Sequence, residues 1–206
     1  MSELLMVTHP QASHHVEDRV GGWFDSHLTE RGLKQARQIA VAIREQIGED
    51  AALYSSDLRR TTQTAEAISV ETGLEVQTLF ELREKSYGEG EGRPDAWFRA
   101  RFIPPPRHGE RMDHDEGVPG AETKAQWARR VYAGMDRLMS DPAPQKVVVT
   151  HGGTATLVIA HWIGMPITSL DVVNFRVSAG SITHLVEDAY FHNRAVTRLN
   201  DTRHLD

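Results

Sequence analysis

The chain has 206 residues, a formal net charge of −6 and no cysteine. This length favours one domain, or one domain with an inserted lid, and is enough to bury an ordinary core. The absence of cysteine excludes disulfides, thiolate metal sites and cysteine nucleophiles, and the acidic balance argues against nucleic acid as a partner. No basic segment precedes an apolar stretch at the N-terminus, and no run approaches the ~20 apolar residues of a membrane span. We therefore expect a cytoplasmic protein with no membrane partner.

The N-terminal half of the chain alternates strands and helices. A strand is predicted over residues 4–8, where an apolar run ends abruptly at His9. From Leu33 to Ile47, apolar residues recur at spacings of three and four, which indicates one face of an amphipathic helix with Thr29 as its N-cap. The other elements of this half are a strand over residues 52–54, a helix from about Leu58 to Val70 capped by Asp57, and a strand over residues 75–80.

The second half begins with a glycine-rich stretch, residues 86–94, which is predicted to be a loop and is followed by irregular chain to Gly120. Regular structure resumes with a helix over about 122–139, a strand over 146–151, a helix after Gly153, and late strands over 181–187 and 195–200. Strands that alternate with helices, some of them uniformly apolar, predict an α/β fold. We expect a three-layer α/β/α sandwich with a mostly parallel central sheet.

Two of the predicted strands end in the same three residues, Val-Thr-His, one at His9 and the other at His151. In open, mostly parallel sheets, ligands bind at the carboxyl ends of the strands. The fold would then bring two imidazoles to one edge of the sheet. An equally good interpretation, from their positions alone, is that the two histidines lie in separate loops and form hydrogen bonds with backbone groups there.

The sequence around these histidines resembles the histidine phosphatase superfamily, which contains the cofactor-dependent phosphoglycerate mutases and related phosphatases. The similar stretches are, in order, residues 8–32, 54–68, 81–92, 118–123, 147–153 and 199–205. Each motif alone is weak, but six in the family's order are specific. The resemblance implies a phosphoglycerate mutase-like fold, a single domain over residues 1–206, with a lid or insertion at about 93–118 that matches no family motif.

The resemblance implies four catalytic residues. His9 would attack phosphorus and form a phosphohistidine, and its other ring nitrogen would need a hydrogen-bond acceptor that fixes the tautomer. Arg60 would bind the transferred phosphoryl oxygens, and His151 would donate to the same oxygens as an imidazolium stabilised by the phosphate dianion. Glu84 would protonate the leaving alkoxide and then activate water. Neither a metal nor another cofactor is expected.

Four further residues are binding candidates by the same resemblance: Thr8, His15, Arg19 and Gly152. His15 takes the place of a family asparagine that touches phosphate, and Arg19 that of another arginine near the pocket. Thr8 stands where the family has an arginine directly before the nucleophile, and Pro10 replaces the glycine after it. A threonine hydroxyl cannot substitute for a bidentate cation, so the phosphate pocket is predicted to lack one positive charge.

These residues predict a phosphatase that hydrolyses a small phosphorylated metabolite through phosphohistidine, with weak activity on generic phosphates because Thr8 supplies no cation. A mutase fits less well, because the family's mutases tend to be longer and to close over a bisphosphate. The alternative is a catalytically weakened or repurposed member, either a binding protein or an enzyme with a non-phosphate substrate.

Residues His14 and His15 are assigned to a loop, and their spacing to other histidines fits no metal motif. A homodimer is left open.

Overall fold

The computed structural model describes residues 2–206 and contains one six-stranded sheet. Its strands are β1 (Glu3–Thr8), β2 (Ala51–Ser55), β3 (Val76–Thr78), β4 (Gln145–Thr150), β5 (Ile182–Glu187) and β6 (Arg194–Asp201). The helices are α1 (Ser13–Val16), α2 (Glu30–Arg44), α3 (Arg59–Thr72), α4 (Asp95–Arg99), α5 (Lys124–Met139) and α6 (Gly152–Trp162). Among the described residues, no helix is long and apolar enough to cross a membrane.

The strands lie in the order β3-β2-β4-β1-β5-β6. The first four are parallel to one another, whereas β5 runs antiparallel to β1 and β6 antiparallel to β5. The predicted mostly parallel sheet is therefore confirmed. In the β1–β4 register Thr8 lies opposite Thr150, so the residues that follow, His9 and His151, leave the sheet side by side at its carboxyl edge.

Helices cover both faces of the sheet. Along β1, Leu4 and Met6 pack on one face and Leu5 and Val7 on the other, as the alternation of a strand requires. The first face is covered by buried residues of α5 and α6, and the second by buried residues of α2 and α3. The predicted three-layer α/β/α arrangement is confirmed.

The helix starts show which capping predictions were correct. Thr29 caps α2 as predicted, because its hydroxyl accepts a hydrogen bond from the Gly32 N–H at 3.0 Å. The prediction that Asp57 caps α3 was wrong. The Asp57 carboxylate instead accepts two hydrogen bonds from the Arg83 guanidinium, at 2.6 and 2.8 Å, and this bidentate pair occupies both of its oxygens.

The glycine-rich stretch is irregular, as predicted, apart from a single 3₁₀ turn at Gly88–Gly90. The following segment, to Gly120, contains one helix that the sequence did not predict, α4. This helix is only five residues long and buries none of its residues, so it leaves no apolar periodicity for a sequence pattern to detect.

Candidate active site

The carboxyl edge of the sheet gathers four imidazoles. The ring centroids of His9 and His151 are 5.2 Å apart, and His15 stacks on His9 at 5.6 Å. His14 completes the group at 6.0 Å from His9 and 4.0 Å from His15. The assignment of His14 and His15 to a loop was wrong, because they lie in α1, a single helical turn that directs both rings toward His9.

The His9 ring has both nitrogens in hydrogen bonds. Its Nδ1 lies 2.8 Å from the carbonyl oxygen of Pro10, and a carbonyl can only accept, so Nδ1 carries the proton. Nε2 therefore has a free lone pair, which accepts a hydrogen bond from Arg60 Nε at 3.2 Å. The tautomer leaves Nε2 as the nucleophilic nitrogen and points it at a guanidinium.

Arg60 is fully buried at the start of α3, whereas its neighbour Arg59 is exposed. Backbone carbonyls hold the guanidinium: Nη1 donates to Phe24 O at 2.8 Å and Nη2 to Gly22 O at 2.7 Å. Burial lowers the pKa of Arg60 to about 10. The group therefore remains a cation at neutral pH, fixed in place before any ligand arrives.

His151 is the N-cap residue of α6 and is buried. Its Nε2 lies 2.9 Å from the Ser56 hydroxyl, while its Nδ1 is buried without a hydrogen-bond partner among the described residues. A hydroxyl can donate or accept, so this contact does not fix the tautomer. The ring can present either a donor or an acceptor to a bound group.

Burial and the nearby guanidinium keep the imidazoles neutral. Burial lowers the pKa of both His9 and His151 well below the usual range, and the Arg60 charge lowers both further. Burial, followed by the charges of His15 and Arg60, lowers the pKa of His14 to about 3. The imidazolium form expected for His151 thus needs the negative charge of a bound dianion, and in the free protein this ring is neutral.

Glu84 lies at the N-terminus of the helix that His151 caps. Its carboxylate accepts hydrogen bonds from the backbone N–H groups of Gly153 at 2.8 Å and Thr154 at 3.0 Å. It also accepts from the Lys85 N–H at 3.0 Å and the Thr154 hydroxyl at 3.2 Å. A carboxylate there is favoured by the unpaired N–H groups and the dipole of the helix. The Glu84 carboxylate is thereby held at the start of α6, against the residues that follow His151.

The hydroxyl of Thr8 does not join the imidazoles. It donates to the Ser178 carbonyl at 2.6 Å and accepts from the Ser181 N–H at 3.1 Å, both in the segment that leads into β5. The side chain is buried. The structure therefore assigns the Thr8 hydroxyl to backbone contacts, and no cation enters the site from this position.

The other two binding candidates lie at the surface. Arg19 is 45% exposed, pairs with Glu17 at 3.1 Å and donates to the Gly92 carbonyl at 2.7 Å. Gly152, the first residue of α6, is also exposed, and a Cβ there would meet nothing within 4 Å. The structure thus brings together His9, His15, Arg60, His151 and Glu84, and leaves Arg19 outside this group.

Three side chains that the sequence interpretation did not assign to the site support it: His14, Ser26 and Ser56. His14 Nδ1 lies 2.7 Å from the Ser26 hydroxyl, which in turn lies 3.5 Å from Arg60 Nη1. Ser56 holds His151. Ser56 directly follows β2, the neighbour of β4, so the same strand-end rule that found the histidines could have found it.

Within residues 2–206, no group of three or more histidine, aspartate or glutamate side chains is arranged to hold a metal ion. The expectation that the chemistry needs no metal stays a prediction.

The chain is similar to known proteins over nearly its full length. The model of the histidine phosphatase superfamily (branch 1) matches residues 4–202. A probable phosphoglycerate mutase of Yersinia pestis (strain Pestoides F) is 29% identical over 213 residues, which cover 100% of this chain and 96% of that protein.

Solved structures give the same result. A mycobacterial glucosyl-3-phosphoglycerate phosphatase is 26% identical, with a TM-score of 0.78 over 98% of this chain and 99% of that one. The alpha-ribazole phosphatase from Shigella flexneri has a TM-score of 0.78 at 24% identity, over 97% of this chain and 96% of that one, and supports the fold alone.

Proposed function

The chain belongs to the histidine phosphatase superfamily, and from that premise we propose that it hydrolyses small phosphorylated metabolites through a phosphohistidine formed on His9. The observation that carries this proposal is the His9 tautomer. Its Nδ1 donates to the Pro10 carbonyl at 2.8 Å, and its free Nε2 faces Arg60 Nε at 3.2 Å. A neutral, oriented imidazole beside a fixed cation is what attack on a phosphate requires.

In the first half of the proposed reaction, His9 Nε2 attacks phosphorus. The P–N bond forms as the bond from phosphorus to the leaving oxygen breaks, and protonated Glu84 gives its proton to that oxygen. Arg60 Nε–H turns from the His9 lone pair to a phosphoryl oxygen, and His151 donates to the same group. These two donors stabilise the negative charge on the transferred phosphoryl group.

In the second half, a water molecule attacks phosphorus and gives its proton to Glu84. The P–N bond breaks, and its electron pair returns to His9 Nε2. Inorganic phosphate leaves, and the protonated Glu84 is ready for the next turnover. The net reaction consumes one water molecule and needs no bisphosphate.

A second candidate is a weakened or repurposed member of the family that binds its ligand and turns it over poorly. One observation favours it. The Thr8 hydroxyl is engaged with backbone groups and supplies no charge.

The test is to trap the covalent intermediate. Brief incubation with p-nitrophenyl phosphate, or with members of a panel of phosphorylated metabolites, should leave acid-labile, base-stable phosphate on the protein. His9→Ala should abolish this label, whereas the matched control His27→Ala, an exposed histidine, should retain it. Glu84→Gln should slow turnover most for esters with poor leaving groups. We expect a chelator to have no effect.

Hydrolysis that survives His9→Ala unchanged would exclude the covalent route. Tight binding of phosphate esters without any label or turnover would favour the second candidate.

A further inference from the structure

A cavity of about 340 Å³ adjoins the residues that hold Glu84. Lys85 and Gly153 line it, and their backbone N–H groups are two of the donors to the Glu84 carboxylate. The volume lies within the range of small-molecule sites. If Glu84 protonates the leaving oxygen, the rest of the leaving group must lie against these same residues, so the cavity is placed to receive it.

The walls of the cavity carry more positive than negative side chains. Its cations are Lys85, Arg111 and Lys124, and its carboxylates are Glu116 and Asp171. Lys85 is buried and forms an ion pair with Glu116. This pair neutralises itself, so two cations, Arg111 and Lys124, and one carboxylate, Asp171, set the remaining balance.

Arg111 and Lys124 converge on the same backbone carbonyl. Arg111 Nε donates to the Asp171 carbonyl at 3.1 Å, and Lys124 Nζ lies 3.4 Å from the same oxygen and 3.2 Å from the Val173 carbonyl. Among the described residues, neither cation forms an ion pair with a carboxylate, and both are half-buried. Burial lowers the pKa of Lys124, the Arg111 charge lowers it further, and the Asp171 carboxylate raises it in part, so one carboxylate faces two neighbouring positive charges.

Resting on the phosphatase function proposed above, we propose that this cavity selects phosphomonoesters that carry a second anionic group on the leaving-group side, bound by Arg111 and Lys124. A carboxylate or a second phosphoryl group would supply the counter-charge that Asp171 alone does not give to two partly desolvated cations. Trp127 gives the cavity an aromatic wall for the part of the leaving group between the two anions. Arg111 comes from the segment at 93–118 that matches no family motif, so this segment would set the specificity.

Direct binding to the His9→Ala protein, which cannot form the phosphohistidine, tests the cavity apart from the chemistry. The probes are phenyl phosphate, 4-carboxyphenyl phosphate and 4-(phosphonomethyl)phenyl phosphate. We expect at least one of the two doubly anionic probes to bind about tenfold or more tightly than phenyl phosphate, because a hydrogen bond to a charged group contributes roughly this much. Whichever binds more tightly identifies the second anion as a carboxylate or a phosphoryl group.

Arg111→Met and Lys124→Met, each in the same background, should reduce this preference several-fold. The matched controls are Arg107→Met and Arg129→Met, two exposed arginines that do not line the cavity, and these should leave it unchanged. Circular dichroism melts confirm that each variant is folded. Equal dissociation constants for all three probes, or a preference that persists in both Met variants, would overturn the inference.

Turnover of the same three esters by the unsubstituted protein separates the two proposals. If no ester is hydrolysed but the binding preference persists, the phosphatase function fails and the anion site stands. If all three are hydrolysed with equal kcat/KM and bound equally, the function stands and the anion site fails.

Discussion

At the carboxyl end of β1, both nitrogens of His9 are in hydrogen bonds, to the Pro10 carbonyl and to Arg60. At the end of β4, His151 has one contact, to Ser56, and a buried Nδ1 without a partner among the described residues. The same three residues, Val-Thr-His, precede both environments. The difference begins with the residues that follow each histidine.

After His9 the chain turns, and Pro10 directs its carbonyl back to the ring. After His151 the chain enters α6 at once, and the His151 carbonyl accepts the Ala155 N–H at 2.9 Å as the first bond of that helix. The first arrangement fixes a tautomer and leaves the Nε2 lone pair facing Arg60, whereas the second leaves the ring able to donate. Identical residues on neighbouring strands are thereby suited to two roles, attack on phosphorus and stabilisation of its oxygens.

The largest expected effect comes from the arginine that contacts only one of the two histidines. Arg60→Met should slow phosphoryl transfer to His9 by about 10³-fold, by analogy with arginine contacts to transferred phosphoryl groups. Arg59→Met, the exposed neighbour, should change the rate less than twofold. Single-turnover kinetics measure both. Similar losses in the two variants would mean that Arg60 acts through general charge and not through its contact with His9.

The two glycines after His151 should differ sharply. A Cβ on Gly153 would lie 2.6 Å from Glu84 Oε1 and 2.8 Å from the Trp127 ring, whereas a Cβ on Gly152 would meet nothing within 4 Å. Gly153→Ala should therefore displace the carboxylate and lower kcat by up to about 10²-fold, the effect of a displacement near 1 Å. Gly152→Ala should keep kcat, and a large loss there would indicate a direct role for Gly152 in binding.

The neutral imidazoles should make stability depend on pH. Burial lowers the pKa of His14 to about 3 and also lowers the pKa of His9, His15 and His151. Below about pH 6.5 these four imidazoles bind protons in the unfolded chain but remain neutral in the folded protein. The free energy of unfolding should therefore fall as the pH falls.

Replacing one ring tests this dependence. His14→Gln should reduce the slope by up to about 1.4 kcal/mol per pH unit between pH 6.5 and 5.5, in urea unfolding at each pH. His108→Gln, at an exposed position, serves as the control. A slope unchanged by His14→Gln would mean that this ring is protonated in the folded protein.

The smallest expected effect concerns the threonines that precede the two histidines. The Thr150 hydroxyl donates to the Leu82 carbonyl at 2.9 Å, and the Thr8 hydroxyl to the Ser178 carbonyl at 2.6 Å. Thr150→Val and Thr8→Val should each lower the free energy of unfolding by about 1 kcal/mol and leave kcat/KM within about twofold. A loss of activity in Thr8→Val without a loss of stability would show that Thr8 binds substrate.

Much of the site was predictable from short stretches of sequence. Two apolar runs that end in histidine placed each ring at a strand end, and the family resemblance favoured a shared edge, which the β1–β4 register confirms. The resemblance also chose Arg60 over Arg59, and the burial of Arg60 against the exposure of Arg59 agrees with that choice. The strand ends were predictable because an apolar run that stops at a histidine is a local property that each segment carries by itself.

The sequence by itself thus determined the α/β layers, the meeting of His9 with His151 and the N-cap of α2 at Thr29. Only the tertiary structure decided which partner each polar side chain takes. Asp57 pairs with Arg83, 26 residues away, and Thr8 with Ser178, 170 residues away. A carboxylate or hydroxyl binds the best-placed donor or acceptor in space, and that neighbour is fixed by the packing of distant segments, which no local pattern encodes.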